Sequence, residues 1–111
     1  MENERKMVYV TMPIRRLDDD IPKMRRYCQM ITKEYPDVLP MAPLLYFPQF
    51  IYYRTVENGK QLTPMEEQLL QKCDEIWIFD SAYSNEKLVQ EVTFALEHHL
   101  SILFAEKVFD R

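Results

Sequence analysis

The chain contains one glycine, Gly59, in 111 residues. A Walker loop and a dinucleotide-binding fingerprint each need several glycines at fixed spacing, so both of those nucleotide-binding solutions are excluded. Histidine and cysteine are nearly as scarce, with His98, His99, Cys28 and Cys73 the full set. Adjacent histidines diverge by about 100° on a helix and the cysteines form no CxxC spacing, which argues against a zinc site and for reduced thiols. No metal and no cofactor is expected. No apolar run reaches the roughly 18 residues that span a bilayer, and Met1 to Lys6 lacks the apolar stretch of a signal peptide. A soluble, cytoplasmic protein without a membrane partner is the expectation. Positive charge is also short, 14 Lys+Arg against 18 Asp+Glu for a net charge of −4, which weighs against nucleic acid held by phosphate neutralisation.

What is present is globular. Hydrophobic residues make up 47% and charged residues 29%, and the length suits one domain over residues 1–111. The apolar period changes repeatedly, each time at a start or stop signal. Met7 to Thr11 reads as a buried strand ended by Pro13. Asp18, Asp19 and Asp20 then cap a helix with Pro22 in its first turn, and Ile21, Met24, Cys28, Ile31 and Tyr35 recur on its apolar face until Pro36 stops it. Val38 to Ala42 reads as a second strand, which Pro40 places at a sheet edge or breaks into an irregular piece.

Pro43 to Tyr53 is almost wholly apolar or aromatic, while Arg54 to Gln61 is polar and reads as a flexible segment. Thr63, Pro64, Met65 and Glu66 form a capping box that opens a helix through about Lys72. Glu75 to Phe79 is the clearest strand. Ser84 or Asn85 caps the next helix, which buries Leu88, Val92, Ala95 and Leu96, and Ser101 to Ala105 is a final buried strand. Strands that alternate with helices and read as continuous apolar runs imply an α/β, flavodoxin-like parallel sheet of about four strands with helices on both faces.

Ligands of such sheets bind beyond the carboxyl ends of the strands, where the strand order reverses. The chemically capable residues reaching that edge are Arg15, Arg16, Tyr46, Asp80, Tyr83, Ser84 and Glu91. Glu91 borders the apolar stripe of its helix, as a carboxylate nucleophile or acid/base, or as a boundary glutamate with its head in water. Asp80 ends a buried strand, to position a sugar hydroxyl or a proton, or to satisfy backbone N–H groups in a turn. Arg15 and Arg16 meet an anionic ligand or are neutralised by Asp18 to Asp20. Tyr83 is a candidate hydroxyl donor. The aromatic segment Tyr46 to Tyr53 must be covered, by folding over the pocket as a wall, by a second subunit of a homo-oligomer, or by both.

The order Val8-Tyr9-Val10-Thr11-Met12-Pro13-Ile14-Arg15, then Arg25-Arg26-Tyr27-Cys28, Pro40-Met41-Ala42-Pro43, Tyr46-Phe47-Pro48-Gln49-Phe50, Cys73 to Phe79 and Glu86 to Glu91 resembles the small bacterial and phage proteins of the nucleoside 2-deoxyribosyltransferase-like superfamily. The resemblance runs from about residue 6 to residue 105. It implies a flavodoxin-like sheet and, in active members, cleavage or transfer at the N-glycosidic bond of a nucleoside. Glu91 matches the helix glutamate that attacks the anomeric carbon, and Arg15 matches an arginine after the first strand that contacts ligand. Asp80 would then orient sugar or proton, and Tyr46 with Phe47 would wall the base. The chain departs from that pattern at Met12, Ile14, Arg16, Leu44 and the pair Lys87-Leu88, where Lys87 and Arg16 replace glycine. Two expectations follow: a nucleoside- or nucleotide-handling enzyme acting through Glu91, or an inert binding protein, a phage or bacterial regulatory factor that keeps the fold.

Overall fold

A computed structural model describes residues 5–50 and 62–105. The polar stretch Arg54 to Gln61 lies outside the described residues. In chain order the elements are β1 (Lys6–Thr11), α1 (Leu17–Glu34), β2 (Val38–Met41), α2 (Pro43–Tyr46) with a 3₁₀ turn over Phe47–Gln49, α3 (Pro64–Gln71), β3 (Glu75–Ile78), α4 (Glu86–Glu97) and β4 (Ser101–Phe104). The four strands form one parallel sheet in the order β2-β1-β3-β4. This is the flavodoxin-like α/β arrangement expected from the alternating elements.

Strand alternation divides the core between two faces. Val8, Val10, Met12, Trp77 and Phe79 pack with Met24 and Ile31 of α1 and Leu44 of α2. Tyr9, Ile76 and Ile78 face the other way, onto Leu70 of α3 and Leu88 and Ala95 of α4. Helices therefore cover both faces, as a parallel sheet buried on both sides requires. The strand order also explains Pro40. It pairs with Val8 in β2, and β2 is an edge strand, so the missing N–H withdraws no bond from a further neighbour.

Several expectations are corrected. Asp18, Asp19 and Asp20 do not cap α1 but lie in its first turn; Arg16 is the N-cap residue and makes no side-chain cap bond. Because α1 begins at Leu17, Pro22 lies inside the helix rather than in its first turn and offers no N–H to the carbonyl of Asp18. Between Ser84 and Asn85, Asn85 caps α4 by accepting from Leu88 N at 3.0 Å. Leu96 is 61% exposed, because the buried stripe of α4 runs through Lys87, Leu88, Glu91 and Ala95 and turns Leu96 outward. The last strand is a half-exposed edge rather than a buried one, with Phe104 43% exposed, and among the described residues β4 has a strand neighbour on one side only.

The switch point lies at β1 and β3. The chain leaves β1 towards β2, then returns to β3 on the opposite side of β1. Thr11 is paired with Ile78, and Phe79 N donates to Thr11 O at 2.9 Å, so the segments after both strands start side by side.

Candidate functional site

Two cavities meet at the carboxyl ends of β1 and β3. The first is an open crevice of about 260 Å³ lined by Met12, Pro13, Arg15, Asp20, Lys23, Asp80, Ala82 and Tyr83. Its rim is built by backbone capture. Asp20 is buried, and its Oδ2 accepts from Arg15 N at 2.7 Å and Arg16 N at 3.0 Å, folding the segment after β1 back onto the first turn of α1. Asn85 ties the same segment to α4 by donating from Nδ2 to Ile14 O at 3.1 Å. With the backbone so held, the Arg15 guanidinium lies 3.8 Å from the centre of the Tyr83 ring, a cation–π contact.

Asp80 occupies the left-handed region at φ 58°, a conformation that Asp tolerates better than most residues. Its Oδ1 accepts from Tyr27 OH at 2.8 Å, and the Tyr27 ring stacks on Phe79 at 4.0 Å. Its Oδ2 lies 3.3 Å from Lys23 Nζ, yet accepts no hydrogen bond among the described residues. The crevice thus combines two cations, one aromatic face and the Asp80 carboxylate, whose Oδ2 is buried beside Lys23.

The second cavity is a void of about 10 Å³, room for about one water. Val10, Thr11, Met12, Leu44, Glu66, Lys87 and Glu91 are among its walls. Glu91 has 2% of its surface exposed. Tyr9 OH donates to its Oε2 and Thr11 Oγ1 to its Oε1, each at 2.7 Å. Beside it Lys87 Nζ donates to Glu66 Oε2 at 2.5 Å, a buried ion pair between α4 and α3. Glu66 is also the reciprocal partner in the capping box of α3, its Oε1 accepting from both N and Oγ1 of Thr63 at 3.0 Å. Burial pushes the Glu91 carboxyl up to about 7, against the positive charge of Lys87 and the hydroxyls of Thr11 and Tyr9, which draw it down; the charge of Glu66 adds to the rise.

The expected site residues therefore separate. Arg15, Asp80 and Tyr83 share the crevice. Glu91 lies on the other face of β1, and Met12 is the residue lining both its void and the crevice. The reading of Glu91 as a boundary residue with its head in water is overturned, since α4 presses it against β1. Arg16 is exposed and pairs with Asp19 at 3.5 Å, outside the crevice lining. Ser84 is exposed and lines neither cavity. Tyr46 and Phe47 line a separate apolar groove of about 460 Å³ with Pro40, Met41 and Leu45, because α2 follows β2, on the far side of β1 from β3. They wall neither cavity at the switch point. Of the aromatic segment, residues 51–53 lie outside the described residues.

Tyr9, Thr11, Lys23, Tyr27, Glu66 and Lys87 were not among the expected site residues. A signal existed for two of them. Tyr9 and Thr11 alternate on one face of a buried strand, and a buried phenol and hydroxyl both require partners.

A family model described as a domain of unknown function (DUF7768) matches residues 6–105. No curated protein matches the chain, and no solved structure does.

Proposed function

The chain belongs to the DUF7768 family, a domain of unknown function, and we propose that it handles a nucleoside or nucleotide in the switch-point crevice, with Glu91 acting on the N-glycosidic bond. The observation that carries this reading is Glu91 itself. A carboxylate is seldom fully buried unless paired, and this one lies at the carboxyl end of β1 with both oxygens aimed by hydroxyls and its ionisation moved to the neutral range. The resemblance to the deoxyribosyltransferase-like proteins assigns the same residue the attack on the anomeric carbon.

In the chemistry this supports, ionised Glu91 places an oxygen on the anomeric carbon while the bond to the base nitrogen breaks and its electron pair leaves with the base. The base takes a proton, and water or a second base then displaces Glu91. The hydroxyls of Tyr9 and Thr11 fix the direction of the carboxylate and donate to whichever oxygen carries charge. Arg15 and Lys23 suit a phosphate or another anionic group on the ligand, Tyr83 offers a ring face, and Asp80, which lines the same crevice, suits a sugar hydroxyl.

A second reading, binding without turnover, is favoured by one observation. The void at Glu91 has room for about one water, so a sugar reaches the carboxylate only if the flexible Met12 side chain swings aside. Free-base release from ribo- and deoxyribonucleosides and their 5′-monophosphates, with a second base present to reveal transfer, separates the readings. Release that vanishes in Glu91→Gln supports the chemistry. No release by folded protein, together with ligand binding that survives Glu91→Gln, leaves a binding protein.

A further inference from the structure

We propose that Lys87 is the positioning residue of the Glu91 carboxylate, its buried ammonium anchored on Glu66 where it favours the charged form of Glu91 against the cost of burial at the end of β1. Lys87 is 5% exposed and Glu66 fully buried, so both charges have left water. A buried ion pair roughly breaks even against well-packed apolar side chains, so fastening α3 to α4 does not by itself account for this one. Its location gives it a second task. Lys87 and Glu91 stand four residues apart on one face of α4, and both line the same small void.

The anchor makes the ammonium a fixed charge rather than a swinging one. Glu66 Oε1 is occupied by N and Oγ1 of Thr63 at the start of α3, which leaves Oε2 for Lys87. Among the described residues the groups facing Glu91 include Tyr9 and Thr11 from β1, Glu66 from α3 and Lys87 from its own helix. Of the two charged neighbours, the lysine acts more strongly on Glu91 than the glutamate does, so the pair does not cancel at that carboxylate. Lys87 favours ionised Glu91 and Glu66 opposes it, as a cation and an anion beside the same carboxyl must.

The consequence for turnover rests on the proposed N-glycosidic function; the charge on Glu91 does not. The test follows the ¹³C carboxyl resonance of Glu91 through a pH titration of the full chain, assigned by its loss in Glu91→Gln. Lys87→Met is expected to raise the midpoint by about one pH unit, and Lys87→Arg to restore most of the wild-type value. Glu66→Gln keeps a carbonyl for Thr63 N and is expected to lower the midpoint. An unmoved midpoint in folded Lys87→Met, or an upward or absent movement in Glu66→Gln, overturns the proposal. If Lys87→Met does not fold, Glu66→Gln decides alone. Opposed shifts without base release in any protein would leave the role of Lys87 standing and remove the enzymatic function. Release without the shifts would do the reverse.

Discussion

Raising the pH should destabilise this protein through Glu91, and replacing Glu91 with glutamine should abolish that dependence. The unfolded chain releases the proton near the ordinary glutamate value of 4.5, while the folded chain holds it to about 7. Between those values the folded state binds more protons than the unfolded state, so stability falls as pH rises. Below about pH 4.5 the group makes no difference; above about 7 the loss is complete. At roughly 1.4 kcal/mol per pH unit the gap amounts to about 3 kcal/mol. Glutamine cannot ionise, and its amide still accepts from one of the hydroxyls of Tyr9 and Thr11, so losing the other acceptor costs about 1 kcal/mol. Urea unfolding of both proteins should therefore give a variant slightly less stable than wild type near pH 5 and more stable, by about 2 kcal/mol, near pH 8. Other titrating groups are common to both proteins and cancel in the difference. Stability curves that stay parallel across this range would refute a buried Glu91 of raised pKa, and with it the support that the carboxylate lends to the proposed function.

Two further outcomes follow from the local structure. Thr63→Ala removes the side-chain half of the α3 capping box and should cost about 1 kcal/mol in denaturant unfolding, with Thr63→Ser recovering most of it; an unchanged midpoint would contradict the cap. Asp20→Ala leaves the N–H groups of Arg15 and Arg16 without their buried acceptor, which should cost about 2 kcal/mol and speed amide exchange at both positions. Exchange at those two amides that stays at the wild-type rate would show that Asp20 does not hold the crevice rim.

Much of the architecture was legible from short-range pattern. Short continuous apolar runs between start and stop signals located the four described strands, and Thr63 with Glu66 announced the start of α3 because a capping box is complete within four residues. Pro40 restricted β2 to an edge or an irregular piece for a reason equally local, the missing N–H, and the sheet order shows the edge. The start of α1 was misread because three aspartates look like a cap. Asp20 instead turns its carboxylate back onto the N–H groups of Arg15 and Arg16, a contact set by the bend after β1. Leu96 and β4 are more exposed than their apolar character suggests, since composition shows that a residue is apolar but not whether a neighbour arrives to cover it.

Sequence by itself determined the class of the fold: alternating apolar strands and amphipathic helices have few ways to bury themselves other than a parallel sheet covered on both faces. It also placed Glu91 beside the apolar stripe of α4. Tertiary structure alone decided what Glu91 meets, because Tyr9 and Thr11 lie 82 and 80 residues away and reach it only through the sheet and the docking of α4. The same is true of Lys87 on Glu66, and of Arg15 and Asp80 sharing a crevice once the strand order brings β1 beside β3. Periodicity fixes which face of an element is apolar, whereas hydrogen-bond partners and burial depend on which elements become neighbours, and that choice is made over the whole chain at once.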